Sequence, residues 1–282
     1  MKLRLPGLFL RAGFTLLGIF SGASSIIAQG DLLITPRRLV FEGSRRSIDM
    51  NLANLGKDTA TYAISLVQMR MTEDGRFESI TEPDPGQMFA DKNLRYFPRT
   101  VTLPPAESQI VKVQLFRSNQ MAPGEYRSHF YFRAVPKPVP LGQENPVPDS
   151  TTISVVIKPV FGITIPVIIR VGDTNTKVTL SDLAFNMEND TVPNFSLTFN
   201  RAGNASVYGD LTVYHISSQG RETKVAMANG IAVYTPNNRR IFKLNLNKVP
   251  GVDYTTGTLR TIFSAPSDVK PERYAEAELS LH

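Results

Sequence analysis

The chain has 282 residues, no cysteine and no tryptophan, and a formal net charge of +6 at pH 7. The absence of cysteine excludes disulfides, thiol catalysis and thiolate metal sites. The length favours two domains of moderate size, which can bury sizeable cores without disulfides. Residues 1–28 hold three of the basic residues and no acid, which leaves +3 for the remainder. That charge is too small to indicate a nucleic-acid partner.

Residues 1–28 have the pattern of a secretory signal peptide. A basic start at Met1–Arg4 is followed by an apolar run from Ala12 to Phe20 and by small residues that lead to Ala28. The apolar run is shorter than the roughly 20 residues that a membrane span needs. We therefore expect cleavage near Ala28, export, and no membrane insertion of the remaining chain.

The first half of the remaining chain predicts strands separated by turns. The predicted strands are Asp31–Glu42, Ser47–Ala53, Ala60–Met71, Arg95–Leu103, Gln109–Phe116 and Gly124–Val135. Turn signals stand between them, among them Asn54–Asp58, Glu73-Asp74-Gly75 and Pro104-Pro105. With the strand described next, the total is about seven, the number typical of an immunoglobulin-like sandwich, which we predict over residues 29–171.

A long alternating strand ends this first half. Every odd position from 153 to 169 is apolar: Ile153, Val155, Ile157, Pro159, Phe161, Ile163, Ile165, Val167 and Ile169. A period of two indicates a strand, here about three times longer than the usual five or six residues. Such a face is a hazard if it stays uncovered, unless a partner binds it. The proline-rich stretch 136–150 precedes it and predicts an extended loop.

The second half repeats the all-β pattern after a boundary at Val171-Gly172-Asp173. Its predicted strands are Lys177–Leu183, Asn194–Asn200, Asp210–Ser217, Lys224–Tyr234, Arg240–Asn247, Thr258–Ser264 and Ala275–Leu281. They indicate a second sandwich over residues 172–282. The predicted fold is therefore all-β, with two immunoglobulin-like β-sandwich domains preceded by a signal peptide.

Few residues are available for catalysis or metal binding. His129 and His215 lie within predicted strands, and no metalloprotease, nucleophile-elbow or phosphate-loop motif is present. One region is rich in acidic residues, namely Asp74, Glu82, Asp84 and Asp91. A calcium site is conceivable there, but the spacing favours a solvated turn. We expect no enzyme activity, no cofactor and no metal.

Four stretches of the first half resemble the PapD-like pilus-assembly chaperones of the chaperone–usher pathway, and the likeness is closer to divergent members of that family. They are Ile34–Ser44, with an arginine before aliphatic residues and an acidic-Gly-Ser turn; Ser47–Tyr62; Gly124–Pro136, which ends at a proline-rich loop; and the long strand, which closes on Ile165–Arg170. The resemblance covers residues 31–171. The second half is similar in style and length only.

The resemblance implies a periplasmic protein with its two immunoglobulin-like domains at an angle and a cleft between them. In that family the long strand lends alternate apolar side chains to a pilus subunit that lacks its own last strand. It implies that the donor strand includes Ile153, Val155, Ile157 and Phe161. The expected partners are pilin-like or other surface-structure subunits, with an outer-membrane usher as a further candidate.

The resemblance also assigns charged residues. In the family two basic residues in the cleft hold the terminal carboxylate of the subunit, and the first of them corresponds to Arg38. The second corresponds to Pro166, so Arg127 on the neighbouring strand is the first substitute and Lys158 the second. The interdomain arginine of the family corresponds to Arg170.

Two other interpretations remain open. The chain could be an exported two-domain immunoglobulin-like module with a structural, adhesion or secretion-machinery role and no chaperone role. In that case its own fold would cover the odd face of Ile153–Ile169. A hydrolase built on a β-sandwich is the third interpretation, and no nucleophile–base pair in the sequence supports it.

Overall fold

The computed structural model describes residues 31–136, 160–189 and 191–281. These residues form eighteen strands and two single turns of 3-10 helix, Asp91–Asn93 and Ser118–Gln120. No helix among the described residues is long and apolar enough to cross a membrane. The predicted all-β class with two immunoglobulin-like sandwiches is confirmed. The predicted signal peptide lies outside the described residues.

The first sandwich contains strands β1 to β11. They are β1 (Leu32–Thr35), β2 (Leu39–Phe41), β3 (Ser47–Asn54), β4 (Ala60–Val67), β5 (Met69–Met71), β6 (Phe77–Ser79), β7 (Leu94–Phe97), β8 (Thr100–Leu103), β9 (Ser108–Leu115), β10 (Gly124–Ala134) and β11 (Gly162–Val171). One sheet has the order β1-β3-β9-β7, and the facing sheet has the order β2-β11-β10-β4-β8. This is the strand arrangement of the immunoglobulin fold, with the first strand divided between the two sheets.

Two predicted strands are broken at prolines. Asp31–Glu42 becomes β1 and β2, on either side of Pro36, and Arg95–Leu103 becomes β7 and β8, on either side of Pro98. In both cases the two halves belong to opposite sheets. Proline has no backbone N–H to give to a sheet ladder, so it suits the crossing between sheets.

A small hairpin departs from the sandwich after β4. The predicted strand Ala60–Met71 ends at Val67, and its last residues form β5, which pairs with β6 across the turn that contains Gly75. Gly75 has a φ of +83°, which favours glycine. We call residues 69–79 the strap. The sequence does not predict its second strand, because Phe77-Glu78-Ser79 shows no alternation of apolar and polar residues. In the structure all three residues are exposed.

Strand β11 contributes directly to the first core. Ile165, Val167 and Ile169 are buried among the apolar side chains of both sheets, and Ile163 packs at their margin. Strand β2 runs parallel to β11 but pairs only with Val167–Ile169. In the described part of the chain, the edge of β11 from 162 to 166 therefore has no strand on that side.

The second sandwich contains strands β12 to β18. They are β12 (Thr176–Glu188), β13 (Val192–Gly203), β14 (Val207–Ile216), β15 (Glu222–Val233), β16 (Arg239–Asn245), β17 (Gly257–Ser264) and β18 (Arg273–Leu281). Its sheets have the orders β12-β13-β16 and β15-β14-β17-β18. Strand β12 is longer than predicted, because a bulge with Asp182 at a φ of +53° lets it continue past Leu183. Phe195, Phe199 and Phe263 are fully buried in the core of the second sandwich.

Candidate functional site

One face of the sheet β2-β11-β10 is turned towards the second sandwich. Val40, Ile168 and Arg127 are neighbours across these three strands. Since side chains alternate along a strand, the residues two positions away share their face. They are Arg38, Glu42, Pro166, Arg170, Glu125 and His129. Ile168 is fully buried against Ala232 and Tyr234 of the second sandwich. This face is the junction between the two sandwiches.

Glu125 joins the two sandwiches at one side of the junction. Glu125 as a whole is 3% exposed. Its carboxylate accepts hydrogen bonds from Arg170 Nε at 3.1 Å and from the Ser206 backbone N–H at 2.9 Å. The hydroxyls of Ser206 and Thr235 donate to it at 2.9 and 3.0 Å. Arg170 also donates to Ser206 O at 2.9 Å and lies 3.5 Å from Glu42. Arg170 thus contacts both sandwiches, and its acidic partners are Glu125 and Glu42.

Arg38 lies at the mouth of the junction. Its Nη2 is 3.4 Å from Ser206 Oγ, and its guanidinium carbon lies 4.6 Å from the centre of the Tyr208 ring and 5.6 Å from that of Tyr234. Its Nη1 is buried and has no hydrogen-bond partner among the described residues. Aromatic faces attract a cation but accept no strong hydrogen bond from it. Arg38 therefore has one donor without a partner in the described part of the chain, which an anion reaches only if the residues around it move.

Arg127 lies deeper and also packs against Tyr234. It is 2% exposed, its guanidinium carbon is 4.6 Å from the centre of the Tyr234 ring, and its Nη2 is 3.4 Å from Thr235 O. Within the described chain its Nε and Nη1 have no partner. Burial lowers the pKa of this guanidinium, and the nearby Arg38 lowers it further. A ligand carboxylate reaches Arg127 only if the cover formed by the second sandwich moves.

The cleft between the sandwiches opens beside Arg38 and has a volume of about 890 Å³. The first sandwich contributes Arg37, Arg38 and Arg170 to its walls. The second contributes Lys177, Tyr208 and Arg273, together with Asp268 and Glu272. Basic side chains outnumber acidic ones along these walls. The arrangement is suited to an anionic group that enters from solvent.

The predicted donor strand is only partly described. Ile153, Val155, Ile157 and Lys158 lie outside the described residues. Phe161 is 45% exposed, and its carbonyl accepts a hydrogen bond from Ala134 N at 3.0 Å. The next odd position, Ile163, is already packed on the core. The apolar row therefore leaves the core of its own sandwich between Ile163 and Phe161.

The two described histidines are not arranged for catalysis. His129 is 3% exposed, its ring packs edge-on against Phe77 at 5.3 Å, and neither ring nitrogen has a partner among the described residues. Burial, and to a lesser extent Arg127, lowers the pKa of His129 to about 3. His215 Nε2 lies 2.9 Å from the carbonyl of Thr256. Neither contact supplies a nucleophile, so the hydrolase interpretation gains no support.

Two of the four acidic residues considered for calcium have other contacts. Asp84 accepts a hydrogen bond from Arg70 Nε at 2.7 Å, and this bond lowers the pKa of Asp84. Asp74 contacts the Thr72 hydroxyl within the turn of the strap, and that contact lowers the pKa of Asp74. The Asp74 contact agrees with the predicted turn, and the Arg70–Asp84 pair ties the strap to the first sandwich.

Sequence reasoning missed Glu125, Ser206, Tyr208 and Tyr234. A signal for the first was present, because Glu125, Arg127 and His129 alternate as polar residues in a strand that buries most of its side chains. The other three belong to the second sandwich. Nothing in the sequence pairs that sandwich with a face of the first.

No protein-family model matches the chain, and no curated protein matches it in sequence. Among solved structures, the chain is similar to the YadV chaperone, with 13% identity, a TM-score of 0.44 and coverage of 89% of this chain and 100% of that one. It is also similar to the class 5 fimbriae chaperone CfaA, with 16% identity, a TM-score of 0.40 and coverage of 89% and 99%. A third similar structure is the CsuC–CsuE chaperone–tip adhesion subunit complex of archaic chaperone–usher pili of Acinetobacter baumannii, with 10% identity, a TM-score of 0.43 and coverage of 88% and 97%. TM-scores below 0.5 do not assign a function.

Proposed function

We propose that this chain is an exported periplasmic chaperone that binds and caps pilin-like or other surface-structure subunits and delivers them for outer-membrane assembly. The observation that carries the proposal is the odd-numbered apolar row of the long strand. Its described part is core at Ile165, Val167 and Ile169 and becomes exposed at Phe161, in the direction of Ile157. A strand that continues its apolar row beyond its own core has side chains to offer to a partner.

The free edge of β11 supports strand donation. Residues 162–166 have a neighbour on only one side within the described chain, so their outer backbone groups can pair with a strand of the subunit. Each apolar side chain of the Phe161 type that enters a groove contributes about 1.5–3 kcal/mol before ordering costs. The backbone bonds would supply affinity, and the alternate side chains would supply specificity.

Arg38 is the proposed anchor for the terminal carboxylate of the subunit. It borders the cleft, and one of its buried nitrogens has no partner in the described structure. A charge-assisted bond between guanidinium and carboxylate fits this position. Arg127 and Lys158 remain the candidates for a second anchor, and Arg127 would need the junction to open first.

Co-purification tests the proposal. We expect the mature chain to be isolated from its own cells with a subunit that mass spectrometry can identify. Ile157→Asp places a charge in the donor row, and Arg38→Ala removes the anchor, so both should release the subunit to degradation. Ile110→Asp and Arg99→Ala, at exposed sites away from the cleft, are the matched controls. Subunit levels that stay unchanged in both test variants would refute the proposal.

A structural module without a chaperone role is the second candidate, because the sandwich itself covers Ile165 to Ile169. An apolar dye distinguishes the two. A chaperone with a free donor row should bind the dye, and a synthetic peptide with the sequence of a strand of the subunit should quench it. A module that covers its own row should show neither effect.

A further inference from the structure

The strap crosses from the first sandwich to the second. The Asn237 side-chain amide donates to Met71 O at 2.7 Å, and the Ile241 backbone N–H donates to Glu73 O at 2.7 Å. Phe77 of the strap lies 6.1 Å from the Tyr234 ring. At Gly75 the backbone approaches the guanidinium of Arg240 so closely that an added Cβ would lie 2.5 Å from its Nη2. The strap therefore has backbone, polar and aromatic contacts with the second sandwich.

The strap is also held firmly on its own side. Gln87 Nε2 donates to Met69 O at 3.1 Å, and the Arg70–Asp84 pair fixes the opposite flank. The Phe77 ring packs against His129, and Met71 is buried with Ile168. The strap is therefore bonded to both sandwiches, and a movement of one relative to the other would break some of these contacts.

Two of the connections between the sandwiches lie at opposite edges of one sheet. The covalent connection runs from β11 into β12, and the Glu125 network lies beside it. The strap bonds to β16 through Ile241. Strands β12 and β16 are the two outer strands of the sheet β12-β13-β16. One attachment leaves a domain free to turn about it, whereas two separated attachments fix its direction.

We propose that the strap sets the orientation of the second sandwich relative to the first and so sets the width of the cleft beside Arg38. Domains joined by a modest interface move relative to one another by default. Here the strap would suppress that motion. The inference rests on the proposed function in one respect, since it takes this cleft as the place where the subunit carboxylate binds. Phe77 and Asn237 are then positioning residues for subunit binding.

The distance between the sandwiches can be measured directly in solution. The natural chain has no cysteine, so Lys57→Cys in the first sandwich and Gln219→Cys in the second give two unique sites for spin labels. Both residues are exposed in turns outside the strap. Double electron–electron resonance on the mature chain then reports the distribution of distances between them, without any subunit present.

The test variant is Phe77→Ala with Asn237→Ala, which removes two contacts of the strap with the second sandwich. The control is Phe97→Ala with Asn194→Ala, which makes the same changes at an exposed phenylalanine and at an asparagine bonded within its own sandwich. We expect a broader or shifted distance distribution in the test variant and the parental distribution in the control. An unchanged distribution in the test variant overturns the inference.

A second pair of variants covers the case in which the double variant fails to fold. Gly75 and Gly251 both lie in turns, with φ values of +83° and +80°, so alanine is strained similarly at both. An added Cβ would meet an arginine guanidinium at either position: Arg240 of the other sandwich at Gly75, and Arg221 of its own sandwich at Gly251. Gly75→Ala should therefore change the distance distribution while Gly251→Ala should not, and equal behaviour contradicts the inference. Because no subunit is used, either result leaves the co-purification test of the chaperone role to be decided separately.

Discussion

His129 is a base enclosed by aromatic rings and an arginine. Phe77 and Tyr234 pack around it, and Arg127 lies two residues away on the same face of β10. A proton on this ring would be buried without a hydrogen-bond acceptor in the described structure, beside a fixed positive charge. The folded protein therefore holds His129 neutral, with a pKa of about 3.

The depressed pKa predicts a pH-dependent stability. In the unfolded chain a histidine binds a proton below about pH 6.5, whereas the folded protein does not bind it until about pH 3. The free energy of unfolding should therefore be unaffected above pH 6.5. Below that value it should fall by up to about 1.4 kcal/mol per pH unit. Urea midpoints measured between pH 7.5 and pH 5 check this dependence.

His129→Leu is the matching variant. It keeps an apolar side chain of similar size and removes the group that titrates, so its stability should be nearly constant between pH 6.5 and pH 5. Carboxylates titrate mainly below this window and do not obscure the effect. A parental slope that persists in His129→Leu would show that another group is responsible.

The sequence singled out some residues of the junction and not others. The resemblance of their strands to a known family proposed roles for Arg38 and Arg170, and those roles stay predictions. The bond between Arg170 and Glu125 could not be found, because it depends on the register of β10 against β11. A long connection joins these strands, so no tight turn fixes that register in advance.

At the scale of elements, turns hold the edges of the first sandwich. Asn54 ends β3 and is 1% exposed. Its amide nitrogen donates to Asp58 O at 2.8 Å and to Leu103 O at 2.9 Å, and its side-chain oxygen accepts from Gly56 N at 2.9 Å. One side chain thus connects the end of β3, the following turn and the end of β8.

Asn54→Ala should destabilise the protein by about 1–3 kcal/mol, because buried backbone groups of the turn and of β8 lose their partner. Asn51→Ala is the control. Asn51 is exposed on the same strand, and its change should cost less than about 0.5 kcal/mol. Urea denaturation gives both values. Equal losses in the two variants would mean that the Asn54 hydrogen bonds do not stabilise the turn.

Elements with a strong local pattern were predicted well, and those that depend on distant contacts were not. The alternating strands β3, β9 and β17 appear close to their expected positions. The division of the first strand at Pro36 depends on which sheet buries Leu32 and which buries Leu39, and that is a tertiary choice. Strand β6 has no buried residue, so its stability comes from β5 and from the second sandwich.

At the scale of the whole molecule, the buried carboxylate of Glu125 couples the sandwiches. Its side chain is fully buried, and its partners Ser206 and Thr235 belong to the second sandwich while Arg170 belongs to the first. Removing one partner of a buried ion pair leaves the other charge without compensation. Loss of Glu125 should therefore weaken the junction more than either core.

Glu125→Ala should lower stability by about 3–5 kcal/mol and separate the unfolding of the two sandwiches. Differential scanning calorimetry should show one transition in the parent and two in this variant. Glu42→Ala is the control, because Glu42 is 52% exposed and lies 3.5 Å from the same arginine. Its loss should cost about 0–1 kcal/mol and keep a single transition. A single transition in Glu125→Ala would contradict the coupling.

The contacts of the junction join residues that are far apart along the chain. Thr235 is 110 residues from Glu125, and Asn237 is 166 residues from Met71, whereas each sandwich is continuous in sequence. During synthesis from the amino terminus, the chain can complete the first sandwich before Tyr234 has emerged. During that interval Arg127 and His129 remain hydrated at the surface. Their water is removed only when the later half closes over them, which makes the junction the last part of the molecule to mature.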